Sequence, residues 1–292
     1  MNTSQLEILA PLQNFLWEGD NFELSPGLWI RRFDQKPDLR ELDTKELSRS
    51  EQDAIGEASH WLSFNWHKET ELSPAETVNL SLVALWLVKP TASHVAFRFA
   101  LGQGEDEGQK GIARLYDRFA WLPEDVHEGF EITDLQAVSS YLSNLVAIGK
   151  AKGRLHNALI LTMTGCWSHE WQSALICHAA ATEALLTYSS DPGIRKRLAR
   201  SYACLIETQS PQRNTAYKDF HDLYPTRSDI MHGHSYTVNP TEPLLLLRRF
   251  QNLLRNLWRT ALLSSQLIST LEGSDAQRRI YFSQITSGYT PP

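Results

Sequence analysis

Leu223-Tyr224-Pro225-Thr226-Arg227-Ser228-Asp229-Ile230-Met231-His232-Gly233-His234 is the stretch on which the reading of this chain turns. Thr226 carries a hydroxyl suited to a helix cap. Arg227 then falls in the first turn, and Gly233 is a natural stop. The segment predicts one short capped helix. A residue five places on lies about 140° around an ideal helix, so Arg227 and His232 flank a groove rather than stack. Asp229 and His232 are three apart and are neighbours on the helix surface.

Outward from this segment the chain reads as helical. Thr133-Asp134-Leu135-Gln136 has the form of a capping box, and Leu135, Val138, Leu142, Leu145 and Val146 recur on one face behind it. Ser168 is a cap for a second helix running to about Tyr188. Asp191-Pro192 opens a third, with Ile194, Leu198, Tyr202 and Leu205 in helical period. A shorter helix is predicted near Thr215–Tyr224. Thr241-Glu242-Pro243 opens a last long helix that Gly273 ends. Helices joined by short connectors predict an all-α bundle over 132–292.

Upstream of Ile132 the texture differs. Trp29-Ile30-Arg31-Arg32-Phe33 follows Ser25-Pro26-Gly27 and reads as a strand after a turn. Leu80–Lys89 and His94–Leu101 read as two strands around Pro90-Thr91-Ala92-Ser93, as a hairpin or as neighbours, because Val95, Phe97 and Phe99 alternate with smaller or polar residues. Thr44–His60 is helix-like, and 102–111 is an acidic, Gly-rich loop. The expectation is an α+β domain over 1–131 followed by the helical bundle, mainly α overall.

Charge divides at the same place. The chain of 292 residues carries a net −6. Residues 1–131 hold 12 Lys+Arg against 23 Asp+Glu, a net −11, and 132–292 hold 16 against 11, a net +5. The whole-chain value argues against a generic nucleic-acid binder, but the basic half is free to face phosphate. Ordinary solvated surface charge is the competing reading. A composition 42% hydrophobic and 21% charged excludes wholesale disorder. Three cysteines make no disulfide framework, and no export segment opens the chain, so a cytoplasmic setting is expected. No apolar run approaches the ~20 residues a membrane helix needs, so no membrane is expected as a partner.

Few chemistries fit these residues. Cys166 and His169 are three apart, but no second ligand pair stands at zinc spacing, and neither metal nor cofactor is expected. There is no Gly-x-Ser-x-Gly elbow and no Gly-rich loop before Lys-Ser or Lys-Thr. Arg227 and His232 remain. A guanidinium pairs with phosphate oxygens, and an imidazole with a reference pKa near ~6.5 moves protons at neutral pH. Together they suffice for RNA cleavage without a metal, with Asp229 orienting the imidazole. The spacing alone carries little. With 19 Arg and 10 His, roughly two pairs at gaps of four to six are expected by chance, and two occur: Arg227 with His232 and Arg227 with His234. A capped surface helix with an ordinary His fits the same spacing. Arg195, Lys196, Arg197 and Arg200 cluster on one helix, and Arg248, Arg249, Arg255 and Arg259 on another. Either set is placed to track an RNA backbone or to face solvent. Trp167 and Trp171 read as core or interface.

Two blocks carry a resemblance. The first is Ala174–Leu186, a helix ending in Glu183-Ala184-Leu185-Leu186, followed by the basic helix Ile194–Arg200. The second is Leu223–Gly233, with Tyr, then Arg-Ser, then His-Gly. Over roughly 135–270 the chain resembles the HEPN superfamily, and within it the Apea-like HEPN domain. The resemblance implies a HEPN-like helical bundle that dimerises, with two Arg–His motifs meeting in one composite ribonuclease site. Carried over by position, it implies Arg227 and His232 as the catalytic pair, with Asp229 as the intervening polar residue and Glu183 at the acidic position of the earlier helix; Arg195, Arg197 and Arg200, from their clustering, and His234, from its spacing, are the candidate RNA-binding residues. It also implies a homodimer, RNA as substrate, and a toxin–antitoxin or antiviral-defence setting with an antitoxin or defence partner. A catalytically silent HEPN module that binds nucleotide, RNA or protein is the alternative. Asp229 stands one place later than the usual polar residue after the Arg, and His234 also satisfies the spacing.

Overall fold

The computed structural model describes residues 5–32, 47–67, 69–70, 72–103, 110–114, 129–188, 193–233 and 241–291. The chain divides into two units, Met1–Lys150 and Ala151–Pro292. Each is described by itself.

The front unit is built on an antiparallel six-stranded sheet in the order β2-β3-β4-β1-β5-β6. Its strands are β1 (Gln5–Leu12), β2 (Asn21–Ser25), β3 (Leu28–Arg32), β4 (His60–His67), β5 (Phe97–Gln103) and β6 (Lys110–Arg114). β1 lies between β4 and β5, with Ile8 opposite Phe64 on one side and Ala100 on the other. Successive residues of β1 point to opposite faces. Ile8, Leu9 and Ala10 are all buried, so both faces of the sheet are covered at this strand. On one face Leu9, Trp61, Phe97 and Phe99 pack with Leu47 and with Ile55 of helix α1 (Arg49–Glu57). Arg114 of β6 grips the Glu51 carboxylate of α1 at 2.6 Å, and that contact holds the carboxyl down to about 2.

Three sequence expectations change here. Leu80–Val88 is not a strand but most of helix α2 (Pro74–Val88), so there is no hairpin with His94–Leu101. β5 pairs instead with β1 and β6. Every residue from Leu80 to Leu87 is buried. A helix apolar all round has no polar stripe, so its composition is that of a buried strand. The discriminating signal lay upstream: Ser73 and Glu76 form a full capping box around Pro74. Helix α3 (Ile132–Ala151) is capped two residues earlier than expected, with Asp134 accepting from the Glu131 amide at 2.9 Å. It also groups with the front unit, where Asp134 pairs with Lys89 at 2.9 Å. Moving the cut past α3 transfers one Asp and one Lys, Asp134 and Lys150, so the charges of −11 and +5 stand. The acidic loop expected at 102–111 lies largely outside the described residues.

The rear unit is helical, from α4 (Arg154–Trp167) through α5 (Trp171–Leu186), α6 (Ile194–Ile206), α7 (Ser210–Leu223), α8 (Pro225–Met231), α9 (Thr241–Leu262), α10 (Ser265–Glu272) and α11 (Asp275–Ile285). Helix α9 is central, packing against α5, α6, α7 and α10. Its Phe250, Leu254, Leu257 and Trp258 are fully buried. Trp258 keeps its indole N–H satisfied by Thr162 of α4 at 2.9 Å. Ser168 ends α4 instead of opening α5. Gly193 opens α6, while Asp191-Pro192 lies outside the described residues. The long last helix breaks at Ser264, whose hydroxyl caps α10. Among the described residues no helix is long and apolar enough to cross a membrane.

Candidate functional site

Helix α5 supplies the first component. Its C-terminal carbonyls are held by arginines from elsewhere in the rear unit. Arg154 donates to Ala184 and Thr187 oxygens, both at 2.6 Å, and Arg278 reaches Thr187 at 3.3 Å. Orphan carbonyls at a helix end attract cations, so the last turn of α5 is pinned on several sides. Glu183 sits in that turn.

The α7–α8 junction supplies the rest. Tyr224 links the two helices in right-handed helical geometry, φ −61° and ψ −33°, directly before Pro225. That conformation is disfavoured before proline, so the surroundings must hold it. Pro225, not Thr226, begins α8, and Tyr224 is the cap residue with no side-chain bond to the helix. The Tyr224 hydroxyl is instead turned to α5, where it donates to Glu183 Oε1. Arg227, in the first turn of α8, brings its Nε to the same oxygen at 3.5 Å. Burial, followed by the hydrogen bond to Glu183 and its charge, pushes the Tyr224 phenol upward. Tyr224 is therefore a neutral donor at every physiological pH. Glu183 thus joins α5 to both sides of the Pro225 turn.

Helix α8 ends as expected. His232 is its cap residue and Gly233 follows at φ +68°, the left-handed region glycine enters without strain. Gly233 donates to the Ile230 carbonyl at 3.1 Å. Ile230 packs against Ala174, Leu175 and Leu247, as does Trp171, and anchors the inner side of the helix. Met231, His232 and Gly233 are exposed.

The site residues read from sequence divide into groups. Glu183 and Arg227 are brought together. Asp229 is half-buried on the same short helix, and His232 stands exposed at its far end. His234 lies outside the described residues. The α6 arginines have contacts within the unit. Arg195 binds His221, Arg197 lies 5.7 Å over the Tyr188 ring, and Arg200 donates to the Thr286 carbonyl at 2.7 Å. Sequence reasoning missed Tyr224 as a functional group. Its signal was available, since a Tyr directly before Pro and three residues before Arg faces the same way as that Arg on a helix.

Among the described residues no three His, Cys, Asp or Glu side chains gather as metal ligands. Cys166 is buried in the core, which raises its thiol pKa far above the usual range. No family model, curated protein or solved structure matches this chain.

Proposed function

We propose that the rear unit is a metal-independent endoribonuclease of the HEPN type. The observation that carries this reading is the Arg227 guanidinium, which Glu183 holds on a short helix that ends in an exposed His232. An oriented cation and an accessible imidazole on one short element are the two groups RNA transesterification needs. His232 takes the proton from a ribose 2′-hydroxyl. The 2′-oxygen attacks phosphorus, the bond to the 5′-oxygen breaks, and the leaving oxygen takes up a proton. The products are a 2′,3′-cyclic phosphate and a 5′-hydroxyl. Arg227 neutralises charge on the phosphorane, and Glu183 with Tyr224 fixes the guanidinium plane. The HEPN pattern also implies a homodimer in which two such motifs face one RNA, and a toxin–antitoxin or antiviral role.

The experiment compares wild type, Arg227→Ala and His232→Ala on total RNA in EDTA. RNA loss with wild type alone supports the reading, with a fall of about 10²-fold or more in either variant. Cleavage retained by both variants overturns it. His234→Ala run beside them assigns the working histidine. An inert wild type that nevertheless binds RNA points to a silent binding module.

A further inference from the structure

The α7–α8 junction contains a backbone defect and a side chain that repairs it. In an unbroken helix the carbonyl of His221 would accept from the N–H four residues on. That residue is Pro225, which has no N–H and whose ring crowds the same carbonyl. The carbonyl is not left bare. Arg195, at the start of α6, donates from Nε to the His221 oxygen at 2.8 Å. The other arm of the guanidinium reaches His221 Nδ1 at 3.0 Å. An arginine has only hydrogens to offer, so Nδ1 is the acceptor and the ring proton sits on Nε2. The 3.4 Å approach of Asp222 Oδ1 to the same Nδ1 is then not a hydrogen bond. Tyr217 stacks on the His221 ring, with centroids 5.4 Å apart and planes at 15°, and fixes its orientation.

We propose that Arg195 is a positioning residue for the Arg227 site, acting through His221 rather than touching RNA. The Arg195 guanidinium stands in for the backbone donor that Pro225 lacks. It fixes the turn between Tyr224 and Arg227, the two groups that meet on Glu183. This role deepens the ribonuclease reading, and its catalytic half rests on that reading.

The test measures amide hydrogen exchange over 225–233 together with RNA cleavage, on the full chain. Arg195→Ala is expected to speed exchange in that segment about tenfold or more, because two charge-assisted bonds are lost. Cleavage kcat is expected to fall about tenfold with KM within about twofold, the mark of a displaced catalytic group. Arg195→Lys, which keeps the charge but one donor direction, is expected to fall between. Pro225→Ala returns an N–H to the His221 carbonyl, so in that background Arg195→Ala, which then removes only the bond to Nδ1, should speed exchange far less. The clamp is wrong if Arg195→Ala speeds exchange equally with and without Pro225. It is also wrong if Arg195→Ala only raises KM while exchange stays at wild type, which is the behaviour of a phosphate contact. Should Arg195→Ala fail to fold, Arg195→Lys in the two backgrounds decides by the same comparison. The exchange arm needs no activity, so an inert wild type would sink the ribonuclease reading and leave the clamp to be judged alone.

Discussion

Tyr224 and Glu183 show how much one contact can organise. The phenol is six-per-cent exposed and its hydroxyl donates to a carboxylate that also receives Arg227. Tyr224→Phe removes the donor and keeps the ring. It should lower stability by about 1.5 kcal/mol in urea unfolding and slow cleavage about tenfold, since hydrogen bonds to charged groups are worth this much. An unchanged rate would mean that Arg227 is placed by other contacts.

His178 makes a different residue-scale prediction. It is fully buried in α5, and burial pulls its imidazole down to about 3. The unfolded chain protonates this group near its ordinary value and the folded chain does not. Stability is therefore complete above about pH 6.5 and falls as pH drops toward 3, by about 2 kcal/mol at pH 5 from this group alone. Urea unfolding at pH 7.5 and pH 5 checks the value. In His178→Gln the gap between the two pH values should shrink by that amount.

At the scale of elements, the close pairing of α4 and α5 depends on Gly165. A methyl group there would lie 2.5 Å from the His178 ring, which has no room to retreat inside the core. Gly165→Ala should cost about 1–3 kcal/mol in thermal or urea unfolding, although alanine favours helix elsewhere. A neutral result would show that the two helices separate more easily than their packing implies. The N-terminus of α4 is capped from a distance. Glu272 of α10 accepts from the amides of Arg154 and Leu155, each at 2.9 Å. Glu272→Ala should lose about 1 kcal/mol.

Elements also show what was legible in sequence. Strand β3, the helices around Ile194 and Thr241, and the Gly233 stop are local patterns, and local signals suffice for them. Helix α2 reads as a strand because burial on all sides erases its amphipathic period, even though Ser73 and Glu76 mark its start. Strand β4 starts at His60, where the expected helix over Thr44–His60 ends, and no reading covers the rest of it. Its partner β1 lies far upstream, with Gln5 opposite His67 and Leu12 opposite His60, and nothing local encodes that pairing. Helix α11 opens on a capping box at Ser274 and Gln277, a local signal of the same kind. Arg227 and His232 stood out by residue type. Tyr224, the Arg195 contact and the pinning of Glu183 are tertiary. They depend on α5, α6 and α7 meeting, which no spacing within one helix predicts.

Across the whole molecule, the two units carry opposite charge. The net −6 of the chain conceals a rear unit at +5. RNA binding by that unit should weaken as salt rises, because phosphate contacts release counterions. The apparent affinity for single-stranded RNA is expected to fall by about tenfold or more between 50 and 200 mM salt. A salt-independent affinity would move the interaction away from the basic unit.

In the proposed reaction Arg227 and His232 drive transesterification through a ribose 2′-hydroxyl. The most direct measurement incubates the full chain in EDTA with a single-stranded RNA and with the same sequence carrying 2′-O-methyl groups throughout, and identifies the new ends. Cleavage of the unmodified RNA alone is expected, leaving 2′,3′-cyclic phosphate and 5′-hydroxyl ends, with no cleavage by His232→Ala. Cleavage of the methylated strand, 5′-phosphate products, or intact RNA after prolonged incubation with wild type would contradict it.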